Sequence, residues 1–377
     1  MVTAEYFDQA SSGIGTHVYY LSRELARRGH DLHLVTSVQR PPAIPPAPGM
    51  RLHLIPFFQG FLLRNVLWTA AARAAVSRLP FRPDVVHAHV PLCQAYPLVH
   101  RASVPLVSTF HTLFYNFRDV PQKDWRFVLH SRVGEMSDSV ALAASDAVVA
   151  CSESIRDEIV HLGFPRERVT LAPNGVPWED YGIRPSDKEM EDLRRRYPLP
   201  KAKRVVLVVG DLVRRKGVDI LLDAIRELDR KAPGTYGLVA VGAGPDRARL
   251  EGLCRGIEGL VTFTGRVSLE DLRRLYYAAD LFAMPSYYEG LPTVVLEALS
   301  SGLPVIGADI PSMHGLLDRC GLLVERSPTA FADGIHRLLE DEAGLRRMRA
   351  AAREAAHPFS WSRLAADVER AYLGTAA

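Results

Sequence analysis

PSYYEGLPTVVLEALSSGLPVIGAD, residues 285–309, decides the fold. It leaves an apolar strand (LFAMPS), crosses a short loop, enters a helix and ends in a second apolar strand (PVIGAD). Proline suits the first turn of a helix because its missing N–H is one of those that have no intrahelical acceptor. Pro292 therefore marks a helix start. The spacing predicts that the N–H groups of Leu291, Thr293 and Val294 point out of that start, where the helix dipole favours an anion such as phosphate. Glu289 leaves the strand end and Glu297 follows on the helix, so two carboxylates stand on either side of the same anion site. On its own, Glu297 would pass for an ordinary solvated helix residue.

Outward from this stretch, short apolar runs alternate with helical patterns over the whole chain. In the first half, strands are predicted at 2–7, 31–37, 51–57, 84–90, 105–111, 147–152 and 169–174. The intervening HVYYLSRELARRG (17–29) has apolar residues at helical spacing and stops at Gly29. After Asn174 the pattern restarts: RVVLVVG, GLVAVG, VTFTG, LFAMPS, PVIGAD and GLLVE are six further strands. The hinge between the halves is PNGVPWEDYGIRPSD (173–187), rich in Pro, Gly and acidic residues. Apolar strands with helices between them imply parallel sheets covered on both faces. The expectation is an α/β chain of two Rossmann-like, doubly wound domains. The first spans 1–174, with a C-terminal helix at 358–377 packing back on it, and the second spans 175–357.

In open sheets of this kind ligands bind beyond the carboxyl ends of the strands. SSGIG (11–15), His111, DLVRRKG (211–217) and YYEGLP (287–292) fall there. Two such edges facing each other would enclose a central cleft. The Pro-rich PPAIPPAPG (41–49) reads as a connector. VGAGPD (241–246) lacks the third glycine and the acid of a dinucleotide loop, so it reads as a strand-to-helix turn and speaks against a nicotinamide oxidoreductase.

Composition narrows the classes. The 377 residues carry 46 basic and 43 acidic side chains, a formal net charge of +3, which argues against a dedicated nucleic-acid binder. Cys93, Cys151, Cys254 and Cys320 are scattered without a C-x-x-C pair, so zinc-knuckle and redox motifs are unsupported and a reducing, cytoplasmic compartment is expected. No run reaches the roughly 18–20 apolar residues of a membrane span. LIPFFQGFLLRNVLWTAAARAAVSRL (54–79) interleaves aromatics and arginines. Two readings are open: weak peripheral contact with a membrane surface or lipid, and a helix packed over an acceptor-binding surface. FHTLFYNFRDVPQKDWRF (110–127) likewise reads as aromatics for stacking on a sugar or for packing a lid. His87 and His89 form H-x-H on one strand and share a face. As metal ligands they need a third partner, which the sequence does not reveal.

The 285–309 stretch resembles the Glu-x7-Glu signature of the retaining, GT-B-fold glycosyltransferases of family 4. The likeness extends over nearly the whole chain: SSGIGTHV, DVVHAHV, STFH, CSESIRDEI, PNGV, the Arg215-Lys216-Gly217 turn, VGAGPDRARL, FTGRVSLEDLRRLYYAADLFAMPS and FSWSRLAADVERAY. The resemblance implies that a hexosyl unit passes from a nucleotide diphosphate sugar, UDP-glucose or UDP-N-acetylglucosamine ahead of GDP-mannose, to a hydroxyl acceptor, without metal or other cofactor. It implies that Glu297 holds the ribose hydroxyls and Glu289 the donor sugar, with backbone contacts from Gly290 and Leu291 beside Pro292 and Thr293. Lys216 would stabilise charge building on the leaving diphosphate, with Arg215 beside it. Arg266 and Val267 would line the base, Gly13 and Gly15 would form a loop approaching the diphosphate, and His111 would stand near the reacting centre.

Departures from the family pattern are specific. Asp211 follows Gly210 where an arginine is usual. A carboxylate about 5 Å from a phosphate costs roughly 3 kcal/mol at an effective dielectric of 20, so Arg214 or Arg215 is expected to compensate. Ser12 replaces a glycine, and Pro177 an acidic residue. Two rival functions remain: a catalytically silent module that binds a nucleotide sugar, supported only by Asp211, and a sugar-nucleotide epimerase.

Overall fold

The computed structural model describes residues 1–3, 13–37, 48–56, 61–90, 96, 100, 103–114, 120 and 125–375, with 61–66, 125–127 and 130 as backbone only. Two compact units emerge: Met1–Arg118, Lys123–Gly175 and Trp361–Ala377 form the first, and Val176–Ser360 with Asp119–Gln122 the second.

In the first unit the strands are β1 (Leu32–Ser37), β2 (Met50–Ile55), β3 (Val86–Val90), β4 (Leu106–Phe110), β5 (Ala147–Ala150) and β6 (Val169–Leu171). β1 pairs with β2, and β3 to β6 pair in order, all parallel. Val2 bridges Val35 of β1 and Ala88 of β3. Of the strand predicted at 2–7, Val2 is thus the bridging residue, and 4–7 lie outside the described residues. With Val2 counted in, the order is β2-β1-Val2-β3-β4-β5-β6, and the winding reverses between Val2 and β3. β3, β4 and β5 are buried along their whole length, as apolar strands covered on both faces require. Each fully buried Val or Leu contributes about 1.5–3 kcal/mol.

The helix Phe61–Ser77 sets Trp68 and Ala72 into a cluster with Val35, Ile55, Val86 and Leu106, and Trp68 Nε1 donates to Ser37 Oγ at 3.2 Å. Packing against the core therefore accounts for the buried side of the aromatic segment 54–79. Among the described residues no helix is long and apolar enough to cross a membrane. In the second aromatic segment Leu113 and Phe114 are buried, and most of the rest lies outside the described residues, as do Cys93 and most of PPAIPPAPG. The helix Trp361–Gly374 belongs to this first unit. Arg28 and His30 both bind Glu369 on it at 2.8 Å, and Trp361 stacks on Tyr20 with centroids 4.9 Å apart.

The second unit contains β7 (Arg204–Val209), β8 (Tyr236–Val241), β9 (Val261–Gly265), β10 (Leu281–Met284), β11 (Val305–Ala308) and β12 (Gly321–Val324) in one parallel sheet, ordered β12-β11-β10-β7-β8-β9. The winding reverses between β7 and β10, so the loops leaving those two strands lie side by side at the position where doubly wound folds bind ligands. Serine caps begin several helices. Ser186 and Glu189 form a reciprocal capping box, while Ser268 and Ser327 accept from the third helical N–H.

Candidate active site

The loops leaving β7 and β10 are tied together by the backbone. After β7, the 3₁₀ turn Arg214–Lys216 ends at Gly217, whose φ of 64° is left-handed and which begins the helix Val218–Lys231. A Cβ at Gly217 would run into the carbonyl of Pro285 in the β10 loop. Glycine is thus required both by conformation and by close approach. Tyr287 N donates to Arg215 O at 2.9 Å from the other side.

On this framework the charged side chains meet. Lys216 Nζ lies 2.7 Å from Glu289 Oε1, and Arg215 Nη1 lies 3.3 Å from the same oxygen. Arg215 also donates to Tyr288 O at 3.0 Å. Arg214 turns away to Asp219 and Asp246, at 3.8 and 3.5 Å. Arg215 is therefore the arginine that reaches inward. Burial alone would raise the Glu289 carboxyl, but the Lys216 ammonium and then the Arg215 guanidinium outweigh it and hold it below the usual carboxylate range. Burial pulls the Lys216 ammonium below its ordinary value, an effect Glu289 offsets only in part. Gly210, Asp211, Leu212, Lys216, Met284 and Ser286 line a narrow recess here.

Asp211 has its own partner. Arg266, at the exit of β9, comes within 4.0 Å of Asp211 Oδ1, and both side chains are more than half exposed. The sequence assigned Arg266 to the base and looked to Arg214 or Arg215 for compensation; the fold brings Arg266 to Asp211. Val267 is half-buried beside it.

The helix after the β10 loop is Thr293–Ser300, with Pro292 as its N-cap at φ −73° and ψ 112°. Pro292 stands one position outside the first turn in which it was expected. Its extended ψ turns the chain into the helix, and Val295 N bonds its carbonyl at 3.1 Å. Gly290 and Leu291 are buried, while Thr293 and Val294 are half-buried at the helix start. Glu297 is buried, and Tyr276 donates to its Oε2 at 2.8 Å. Burial pushes the Glu297 carboxyl up to about 7, against hydrogen bonds from Tyr276 and Tyr181. The sequence had no signal for Tyr276, which lies on the helix Leu269–Ala278, outside the stretch that carries the two glutamates.

The remaining predicted residues, Gly13, Gly15 and His111, lie in the first unit. The expected glycine loop is corrected: Gly13 and Gly15 fall in the first turn of the helix Gly13–Arg27. Glycine there brings no side chain to the helix start, where the first-turn N–H groups have no intrahelical acceptor. His111 follows β4 directly, its N–H bonded to Val90 O at 3.2 Å. It is half-buried and meets two buried histidines, His17 and His89. His89 Nδ1 and His111 Nε2 are 3.3 Å apart, and the His17 and His111 rings meet edge to face with centroids 4.5 Å apart. Burial holds all three far below the ordinary imidazole range, so they are neutral at physiological pH. His87, stacked 4.4 Å from His89, has both ring nitrogens occupied, by Thr109 Oγ1 at 2.6 Å and Tyr372 OH at 2.7 Å.

Comparison with known proteins supplies independent findings. The model of Glycosyltransferase Family 4 matches residues 11–180 and that of Glycosyl transferases group 1 matches residues 203–341. A D-inositol 3-phosphate glycosyltransferase of Xylanimonas cellulosilytica is 32% identical over 96% of this chain and 91% of its own length. A glycogen synthase of Mycobacterium tuberculosis is 28% identical over 99% of this chain and 94% of its own. Among solved structures, a sucrose-phosphate synthase from Thermosynechococcus elongatus superposes with a TM-score of 0.80 at 24% identity, covering both chains fully. Anabaena HepE in complex with UDP and glucose gives 0.75 at 19% identity, covering 99% of this chain and 100% of that one.

Proposed function

The chain belongs to glycosyltransferase family 4 with the GT-B fold, and we propose that it moves a hexosyl unit from UDP-glucose or UDP-N-acetylglucosamine to a hydroxyl acceptor with retention of configuration and without a metal. The observation that carries this is the meeting of Lys216, Arg215 and Glu289 on stitched loops at the reversal of the second sheet, one step from a helix start. Two cations, a carboxylate and a helix start at one edge match the charges and hydroxyls of a sugar diphosphate.

The roles follow. Lys216 gives part of its bond with Glu289 to the β-phosphate as negative charge grows there, which is electrostatic stabilisation of a leaving group. Glu289, kept ionised, accepts from donor-sugar hydroxyls. Glu297 accepts from the ribose, with Tyr276 fixing its carboxyl. For His111 we keep the role that the family resemblance implies, a place near the reacting centre. The acceptor oxygen forms its bond to the anomeric carbon on the face from which the nucleotide diphosphate leaves. Its proton passes to the departing phosphate oxygen, so no residue becomes covalently attached. UDP as donor nucleotide is supported by the UDP and UDP-glucose complexes of HepE. Arg266 within 4.0 Å of Asp211 offsets part of the charge that is the one support for a silent binding module.

The test is a panel of nucleotide sugars, read first by thermal shift and then by turnover with simple glycosyl acceptors. A UDP-hexose is expected to stabilise the protein, and an α-linked donor to give an α-linked product in proton NMR. A β-linked product would overturn retention, and stabilisation by a GDP sugar alone would overturn the donor.

A further inference from the structure

We propose that His17, His89 and His111 form a three-histidine site for a divalent transition metal, zinc being the best match. The H-x-H pair on β3 lacked a third ligand in the sequence; the fold supplies two further histidines, one from the helix Gly13–Arg27 and one from the exit of β4. One ligand nitrogen from each lies within 4.8 Å of the others. Tetrahedral zinc with Zn–N of 2.0–2.1 Å holds its nitrogens about 3.3 Å apart, and His89 Nδ1 and His111 Nε2 already stand 3.3 Å apart. The His17 nitrogen, within 4.8 Å of the other two, has to be drawn in to reach that spacing when a metal binds.

Two details mark a built site. His17 Nδ1 donates to Asn174 Oδ1 at 3.0 Å, which fixes the tautomer and leaves the lone pair on Nε2, the outer-shell arrangement common to metal-bound histidines. That Nε2 is buried and, among the described residues, has no hydrogen-bond partner. His87 is excluded as a ligand because both its nitrogens are engaged. His111 is the ligand with partial exposure, so the fourth position opens on its side. Taken with the role proposed for His111, which this consequence alone rests on, zinc and donor sugar compete for the same imidazole, and zinc inhibits transfer.

The experiment is titration of the metal-stripped full chain with cobalt(II), followed by visible ligand-field absorption, and then displacement by zinc. One equivalent of four-coordinate cobalt is expected. His17→Gln and His89→Gln should each weaken it more than about 100-fold, and Asn174→Ala about 10- to 100-fold, while His87→Gln leaves it within a factor of about three, a nitrogen already engaged elsewhere adding no ligand. Asn174→Ala keeps all three imidazoles, so it decides the matter should a histidine variant fail to fold. Absence of the cobalt band overturns the site. So does a band that survives His17→Gln and His89→Gln, including one lost only in His53→Gln, which would put the metal on the His33–His53 pair 2.7 Å apart. Cobalt binding requires no turnover, so it stands or falls independently of the proposed transfer.

Discussion

Replacing Lys216 by Met keeps the stem and removes the charge. In the free protein this takes from Glu289 its partner at 2.7 Å and leaves Arg215 at 3.3 Å on the same oxygen. Breaking a buried ion pair costs about 3–5 kcal/mol; because Arg215 remains, the loss should sit near the low end, about 3 kcal/mol. The effect on transfer is separable. A unit charge about 4 Å from a phosphate oxygen contributes about 4 kcal/mol at an effective dielectric of 20, or roughly a thousandfold in rate. The bound diphosphate already carries about two negative charges and gains one more as the bond breaks, so the donor KM should rise as well, while the thousandfold attaches to the added charge and appears in kcat. Urea unfolding measures the first quantity, and UDP release under single-turnover conditions, well below the melting temperature, the second. A Lys216→Met protein that is folded and turns over within tenfold of wild type would refute the role given to Lys216.

Glu297 makes stability depend on pH. Its folded carboxyl titrates near 7 against an ordinary 4.5, so between those values the native state binds the extra proton and stability falls as pH rises. Glu297→Gln should therefore gain on wild type by about 3 kcal/mol between pH 4.5 and 8; urea unfolding at both pH values with no relative gain would count against the shift. Gly217→Ala places a Cβ against the Pro285 carbonyl at positive φ, and should cost more than the roughly 1–2 kcal/mol of left-handed backbone alone, seen as a lowered Tm together with weaker donor binding. For the Asp211–Arg266 pair, both exposed, the coupling is at most about 1 kcal/mol. Arg266→Ala should weaken UDP binding up to about fivefold and the added Asp211→Asn should restore it, a cycle readable by calorimetry; a double variant no better than the single would break the link.

Much of this was legible in residues 285–309, because strand, loop and helix follow one another there and both glutamates lie on the same short path. The six strands of the second half could be read because each is a short, largely apolar run between helical patterns; β8, β10 and β11 are buried along their whole length, and the edge strands β9 and β12 only in part. What could not be read depends on distance along the chain. Lys216 and Glu289 meet because β7 and β10 are neighbours across the reversal of the sheet, a pairing that no local pattern encodes. Arg214 and Arg215 are equivalent in sequence, and a single 3₁₀ turn sends them to opposite sides. Pro292 was displaced by one position because an N-cap and a first-turn proline leave the same trace in sequence. The third and fourth histidines around β3 were hidden for the same reason as Tyr276: each reaches its partner from a different element.

The last helix has a consequence in time. Trp361 packs beside His17 and against Gly175, where a Cβ would strike its indole, yet it is made only after Val176–Ser360 has been synthesised. At ordinary translation rates of about 5–20 residues per second, the earlier half waits on the order of ten to forty seconds for its closing piece. The part of the protein begun first is therefore finished last, and a nascent chain stalled before residue 361 would present a mature second half to the cell while its first half still lacked its seal.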